Sequence, residues 1–220
     1  MRRIIALGAS IAMLAASACT QTVEENVSAF ETLKPRSILV LPPLNESVDV
    51  NASYNWLSTI SMPIGEAGYY VFPVAVIDAY MKDNGLPTPD EMHNVSLAKL
   101  REVIGPDAVL YVTIEDWGQK YQVLSSTTVV KARARLVHTA SGTEIWTGNA
   151  VGVEGSGASN DLIGALITAA IAQVLESTSD SAHDLARRAN VEMVYGSRGF
   201  APGPYSRDYA PATGGATTGP

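Results

Sequence analysis

The hydrophobic and polar positions change period along the chain. Ser37 to Leu41 (SILVL) is a continuous apolar run stopped by Pro42 and Pro43. That pattern predicts a strand buried on both faces, because neither proline can donate to a ladder. A helix is expected from Ala52 to Ser61, with Asn51 or Ser53 as cap and Pro63 breaking or restarting it. Gly65 and Gly68 then lead into Tyr69 to Val74 (YYVFPV), rich in strand formers. A strand, a helix and a strand in so short a span predict a right-handed βαβ unit with parallel pairing. Val76 to Asp83, closed at Gly85, and Ser96 to Ile104, capped by Asn94 or Ser96, read as short helices. Leu86 to Asp90, with two prolines, reads as a connection.

From Asp107 the period becomes that of a meander. Ala108 to Glu115 is an apolar strand that extends through Trp117 towards Tyr121. Val129 to His138 alternates: Val130, Ala132, Ala134 and Leu136 on one face, Lys131, Arg133 and Arg135 on the other. This predicts a half-exposed antiparallel strand. Ser141-Gly142 turns the chain into a third strand, Glu144 to Val153. The stretch Gly152 to Asn160 reads as a glycine-rich loop before a helix from Asp161 to Arg188. Asp161 near its start and Arg187-Arg188 near its end suit the helix dipole. Its Leu162 to Val174 segment is uncharged and apolar almost all round. Such a helix is buried on both sides, against the rest of the fold or against another subunit in a homo-oligomer. After Gly196 the chain is Gly, Pro, Ser and Thr with scattered aromatics, a composition that predicts a disordered tail.

Together these elements predict one α/β domain at residues 35–194, followed by a tail at 195–220. Its mixed sheet, in two or three layers, has a βαβ start, an antiparallel meander and a long C-terminal helix.

The N-terminus has a different pattern. Arg2 and Arg3, the apolar run Ile4 to Ala16 and the small residues Ala16-Ser17-Ala18 form a secretory signal over residues 1–18. The apolar run is shorter than the roughly 20 residues that a membrane-crossing helix needs. Cys19, the only cysteine, follows directly, as in a bacterial lipobox, where the thiol takes up a diacylglyceryl group and the new N-terminus is acylated. Ala16 stands where the lipobox usually has a larger aliphatic residue. A plain secretory signal with an incidental cysteine is the alternative. Residues 19–34 then form a lipidated tether of about 16 residues, at most about 50–60 Å when extended.

Cleavage before Cys19 leaves 202 residues, enough for one core, and loss of Arg2 and Arg3 takes the formal charge from −7 to −9. So acidic a chain is repelled by phosphates, which argues against nucleic acid and against electrostatic docking on anionic lipid.

Candidate chemistry is sparse. His93, His138 and His183 fall in separate elements with no ligand spacing, so they read as surface histidines and no metal site is assigned. Glu115 and Asp116 are adjacent on a strand and should point to opposite faces. No nucleophile elbow surrounds any serine, so no catalytic residue and no cofactor are assigned. The Gly152 to Asn160 loop lacks a phosphate-loop lysine. The loop Asn45, Glu46, Ser47, Asp49 follows the first strand, where α/β proteins place ligand sites, although helix capping and Asx-turns explain the same residues. The row Lys131, Arg133, Arg135 is a compact positive stripe that suits a protein partner, or simply a solvated sheet face.

Several stretches resemble a known bacterial family: LPPLNES (Leu41 to Ser47), EAGYYVFPV (Glu66 to Val74), GPDAVLYVTIEDWG (Gly105 to Gly118), SGTEIW (Ser141 to Trp146) and GPYSRDY (Gly203 to Tyr209). With the lipobox they resemble a Gram-negative outer-membrane lipoprotein family with a domain of unknown function. That family is similar in fold to the curli-secretion lipoprotein's periplasmic domain and to the N-terminal domain of the Tol-system propeller protein. The resemblance implies a lipid-anchored outer-membrane protein, its domain facing the periplasm, with protein partners of the curli-secretion-lipoprotein type. It carries no catalytic residues over. The function expected is a non-catalytic interaction subunit of an envelope secretion or assembly complex, with a periplasmic small-ligand-binding module as the alternative.

Overall fold

The computed structural model describes residues 29–30, 32–122, 125–156 and 180–209. In chain order the elements are β1 (Ser37–Val40), β2 (Leu44–Asn45), α1 (Ala52–Glu66), β3 (Tyr70–Val71), α2 (Val74–Asp83), α3 (Pro89–His93), α4 (Leu97–Val103), β4 (Ala108–Gln122), β5 (Ser125–His138), β6 (Glu144–Ser156) and α5 (Asp180–Tyr195). The strands form one mixed sheet in the order β3-β1-β4-β5-β6, with β2 also on β4. β1 lies parallel to both β3 and β4, with Ser37 opposite Tyr70 and Ile38 opposite Ala108. The β4–β5–β6 meander is antiparallel. The α/β domain with a βαβ start, a meander and a C-terminal helix is therefore present.

Both faces of the sheet carry helices, but unequally. On one face α1 and α5 bury Trp56, Ile60, Leu185 and Met193 against the even-numbered residues Leu110 to Ile114 of β4 and Val130 to Leu136 of β5. On the other face Ile77 and Met81 of α2, Met92 of α3 and Leu100 of α4 cover Leu39, Leu41, Val109 and Val137. This second layer stops near Tyr111. Beyond it, no element among the described residues covers the sheet face formed by the outer parts of β4, β5 and β6.

α1 runs straight through Pro63 to Glu66 rather than breaking. A mid-helix proline costs about 3 kcal/mol. Burial of Ile60, Pro63 and Ile64 offsets it. The stretch expected to be a plain connection, Leu86 to Asp90, ends in the first residues of α3, whose N-terminus is a capping box: Thr88 Oγ1 accepts from the Glu91 amide and Glu91 Oε2 accepts from the Thr88 amide at 3.0 Å. Gly152 is not in a loop but in β6, where Leu185 of α5 packs so closely that a Cβ would lie 2.6 Å from Leu185 Cγ. Val153 to Ser156, also expected in that loop, continue β6, while its last residues, the start of the expected helix and the Leu162 to Val174 segment lie outside the described residues.

Two boundaries move outward. Phe30, expected in the tether, is buried in the main core. The chain after Val194, expected to be disordered, packs back on the domain as far as Tyr209. Phe200 sits 4.5 Å from the Trp146 ring, 5.7 Å from Tyr69 and 5.9 Å from Phe30. Trp146 Nε1 donates to the Arg198 carbonyl (2.8 Å), and the Tyr69 hydroxyl donates to the Ala201 carbonyl (2.6 Å). Gly203 lies so close to the Gly68 backbone that no Cβ fits there. Composition undercounts this strap because one phenylalanine and backbone bonding hold it. Residues 210–220 lie outside the described residues.

Candidate functional site

The open sheet face is where sequence-predicted residues converge. On β5, Lys131, Arg133 and Arg135 all point away from the core and are exposed. Register places Tyr111 opposite Arg135, Thr113 opposite Arg133 and Asp116 opposite Lys131 on β4. On β6 the neighbours are Thr147, Asn149 and Val151.

A register shift lies between Ile114 and Asp116, leaving Glu115 without a partner on β5. Such a bulge breaks the strict alternation of a strand. Glu115 reaches Arg133 (3.2 Å), and Asp116 lies opposite Lys131 and pairs with Lys120 (2.7 Å). The two carboxylates thus share the cationic face instead of opposing each other, each tied to its own cation.

Where the helical layer ends, a concavity of about 500 Å3 opens onto this face. Tyr111 and Thr113 of β4 and Arg133 and Arg135 of β5 form its floor, and His93 of α3 stands at its wall. Glu144 and Asn149 come from β6. The Arg135 guanidinium lies over the Tyr111 ring, 4.4 Å from its centroid. His93 meets the same ring edge-on at 5.3 Å. Burial pushes the His93 pKa below its ordinary value, opposed by its bond to the Pro42 carbonyl and reinforced by Arg135. Because a carbonyl only accepts, Nε2 carries the hydrogen in that 2.9 Å bond. Burial pushes the Tyr111 hydroxyl upward, with Arg135 acting against it. His93 is therefore half-buried rather than a surface histidine. His138 shares a hydrogen bond with Ser141, and His183 with Ser58. The three histidines stay apart, and no group of three or more metal-ligating side chains occurs among the described residues.

The other candidate loop is turned inward on itself. Asn45 Oδ1 accepts from the Ser47 amide and hydroxyl (3.0 and 2.7 Å), and Asn45 Nδ2 donates to the Asp49 carbonyl (2.7 Å). Asp49 Oδ1 accepts from the Asn51 amide (2.8 Å), and the Glu46 amide donates to the Ile114 carbonyl (2.9 Å). These bonds shape the turn into α1 and use the side-chain polar groups of Asn45, Ser47 and Asp49 that a ligand would need. Cys19 lies outside the described residues.

Sequence reasoning missed His93 and Tyr111. Alternation along β4 places Tyr111 on the stripe face, so that residue was within reach. His93 arrives through the packing of α3, which no local pattern encodes.

The architecture is that of a mixed α/β domain with a helix-covered core and one half-open sheet face. The chain belongs to the family described as "Putative lipoprotein GNA1162-like", whose profile matches residues 25–205. "Putative lipoprotein NMB1124/NMB1162" of Neisseria meningitidis serogroup B is 43% identical over 198 residues, 88% of this chain and 92% of that one. The crystal structure of lipoprotein GNA1162 from Neisseria meningitidis is 46% identical, covers 65% of this chain and 100% of its own, and superposes with a TM-score of 0.54. Membership in a lipoprotein family implies membrane attachment through a lipid.

Proposed function

We propose that this protein is a non-catalytic interaction subunit of an envelope secretion or assembly complex. Cys19 carries its lipid at the outer membrane, and the domain faces the periplasm. The observation that carries the reading is the half-open sheet face. Lys131, Arg133 and Arg135 form a cationic row there, beside Val151 and Val153 on β6, which are 57% and 56% exposed. Apolar contacts flanked by charge are what a protein interface needs, the valines supplying burial and the charges register. The partner expected is a second envelope lipoprotein of the curli-secretion type; another copy of the chain is the competing occupant.

A photo-crosslinking residue placed at Val151 in the native host tests this. It should form a discrete adduct, and the same residue at Tyr80, on the helical layer, should not. Reversing Lys131, Arg133 and Arg135 to glutamate should cut the Val151 adduct at least about fivefold, since like charge across an interface is strongly unfavourable. An adduct insensitive to charge reversal, or one equally strong from Tyr80, refutes docking through this face. A small-ligand role for the Asn45 to Asp49 loop has less support, because its polar groups bond to one another.

A further inference from the structure

We infer that the concavity at the edge of the helical layer is a receptor for a single carboxylate of a polypeptide partner, with Arg135 as the group that binds it. The inference rests on the docking role proposed above and gives that role its chemistry. Arg133 and Arg135 both face the concavity, but they differ in what holds them. Arg133 is already paired with Glu115 at 3.2 Å. Arg135 has no carboxylate partner among the described residues. Instead its guanidinium carbon sits over the Tyr111 ring, 4.4 Å from the centroid, and that ring is braced edge-on by His93. A cation–π contact holds the guanidinium in place without consuming its N–H donors, so the fork stays free for a planar two-oxygen acceptor. A side chain already immobilised also loses less entropy on binding.

The surroundings select the kind of anion. Glu144 lines the same concavity and Glu115 sits beside Arg133, so the local excess of positive charge is small. One guanidinium balances a monoanionic carboxylate, whereas a phosphate carrying nearly two charges would face Glu144 and the mature chain's formal charge of −9 uncompensated. The volume of about 500 Å3 lies in the range of sites that take a group larger than a bare ion, enough for an acidic side chain or a chain terminus. Thr113 and Asn149 supply neutral hydrogen-bonding groups for the peptide units beside it. The exposed Val151 continues the same face outward along β6.

The test uses the full mature lipoprotein in detergent micelles, with the arginine Nε–H resonances followed by NMR. The probes are N-acetyl-alanyl-alanine, its C-terminal amide and inorganic phosphate. The free-acid peptide should shift the Arg135 resonance saturably and perturb His93, and the amide should leave both unchanged. Arg135→Gln should weaken the response at least about tenfold and Arg135→Lys about threefold or more, because lysine keeps the charge but not the fork. Glu144→Gln should tighten it. Equal shifts with acid and amide, or stronger ones with phosphate, overturn the carboxylate assignment, as does unchanged binding in Arg135→Gln. The Val151 adduct separates this inference from the docking role. If the adduct persists in full in Arg135→Gln, docking stands and the carboxylate receptor falls. If no adduct forms in the wild type, docking falls and the peptide titration alone decides the receptor.

Discussion

Phe200→Ala separates an ordered C-terminal strap from a loose tail. Phe200 is half-buried and packs against Phe30, Tyr69 and Trp146 at centroid distances of 5.9, 5.7 and 4.5 Å. Truncating a fully buried phenylalanine costs about 3–5 kcal/mol. Half-burial brings that down to about 2–3 kcal/mol, part of it the loss of three edge or tilted ring contacts. The backbone anchors from Trp146 to Arg198 and from Tyr69 to Ala201 do not involve the side chain, so the strap loses packing without losing its hydrogen bonds. Urea unfolding of the soluble chain bearing Cys19→Ser, followed by tryptophan fluorescence, measures the effect directly, since Trp146 adjoins the deletion. With a slope of about 1–3 kcal/mol per molar urea, the midpoint should fall by roughly 1 M or more with the slope unchanged. Arg207→Ala, in the same segment but exposed, should stay within about 0.5 kcal/mol. A Phe200→Ala cost below about 0.5 kcal/mol would refute the strap.

Two further outcomes are expected. His93 titrates below its ordinary 6.5 in the folded protein because burial disfavours its cation; Arg135 adds to that, while the Pro42 carbonyl and Asp90 act against it. The unfolded chain therefore takes up the proton first, so this contribution is complete above about pH 6.5 and declines as the pH falls towards the folded value. His138 shifts in the same direction, so the urea midpoint of His93→Gln should depend less on pH than wild type without becoming flat. A steeper dependence than wild type would contradict the burial argument. Cys19→Ser should abolish acylation and move the protein out of the membrane fraction; retention there would refute the assignment of the lipid to Cys19.

The parts of the fold that were legible in the sequence are those written in periodicity. The alternation from Val130 to Leu136 specified which side of β5 meets the core, and the run Ser37 to Leu41 specified a strand covered on both sides. What stayed hidden depended on contacts distant in sequence. Glu115 and Asp116 share a face only because the ladder slips by one residue there, which neither residue's identity announces. Phe200 finds Trp146 and Phe30 across the whole chain, and composition alone gave that stretch no reason to order. Thr88-Pro89-Asp90-Glu91 did carry a readable signal, a capping box with proline in the first turn, under two prolines that suggested only a connection. For the site, the cationic row was legible because it alternates, whereas the concavity beside it exists only once α3 is placed.

Burial of Phe30 has a consequence for how the protein meets anything at all. With the lipid on Cys19, as proposed above, it moves the domain's attachment point towards the bilayer, leaving about 11 residues between Cys19 and the core, a leash of at most roughly 36–40 Å. The meander hanging from it is longer: the 15 residues of β4 alone span about 50 Å. A body longer than its leash cannot wander far from the bilayer, and it meets partners as a particle confined to a thin layer and diffusing in two dimensions. For a partner anchored in the same leaflet, confinement of this kind raises the local concentration towards the millimolar range. A face built from one stacked arginine and two valines can then be weak in free solution and still be occupied at the membrane.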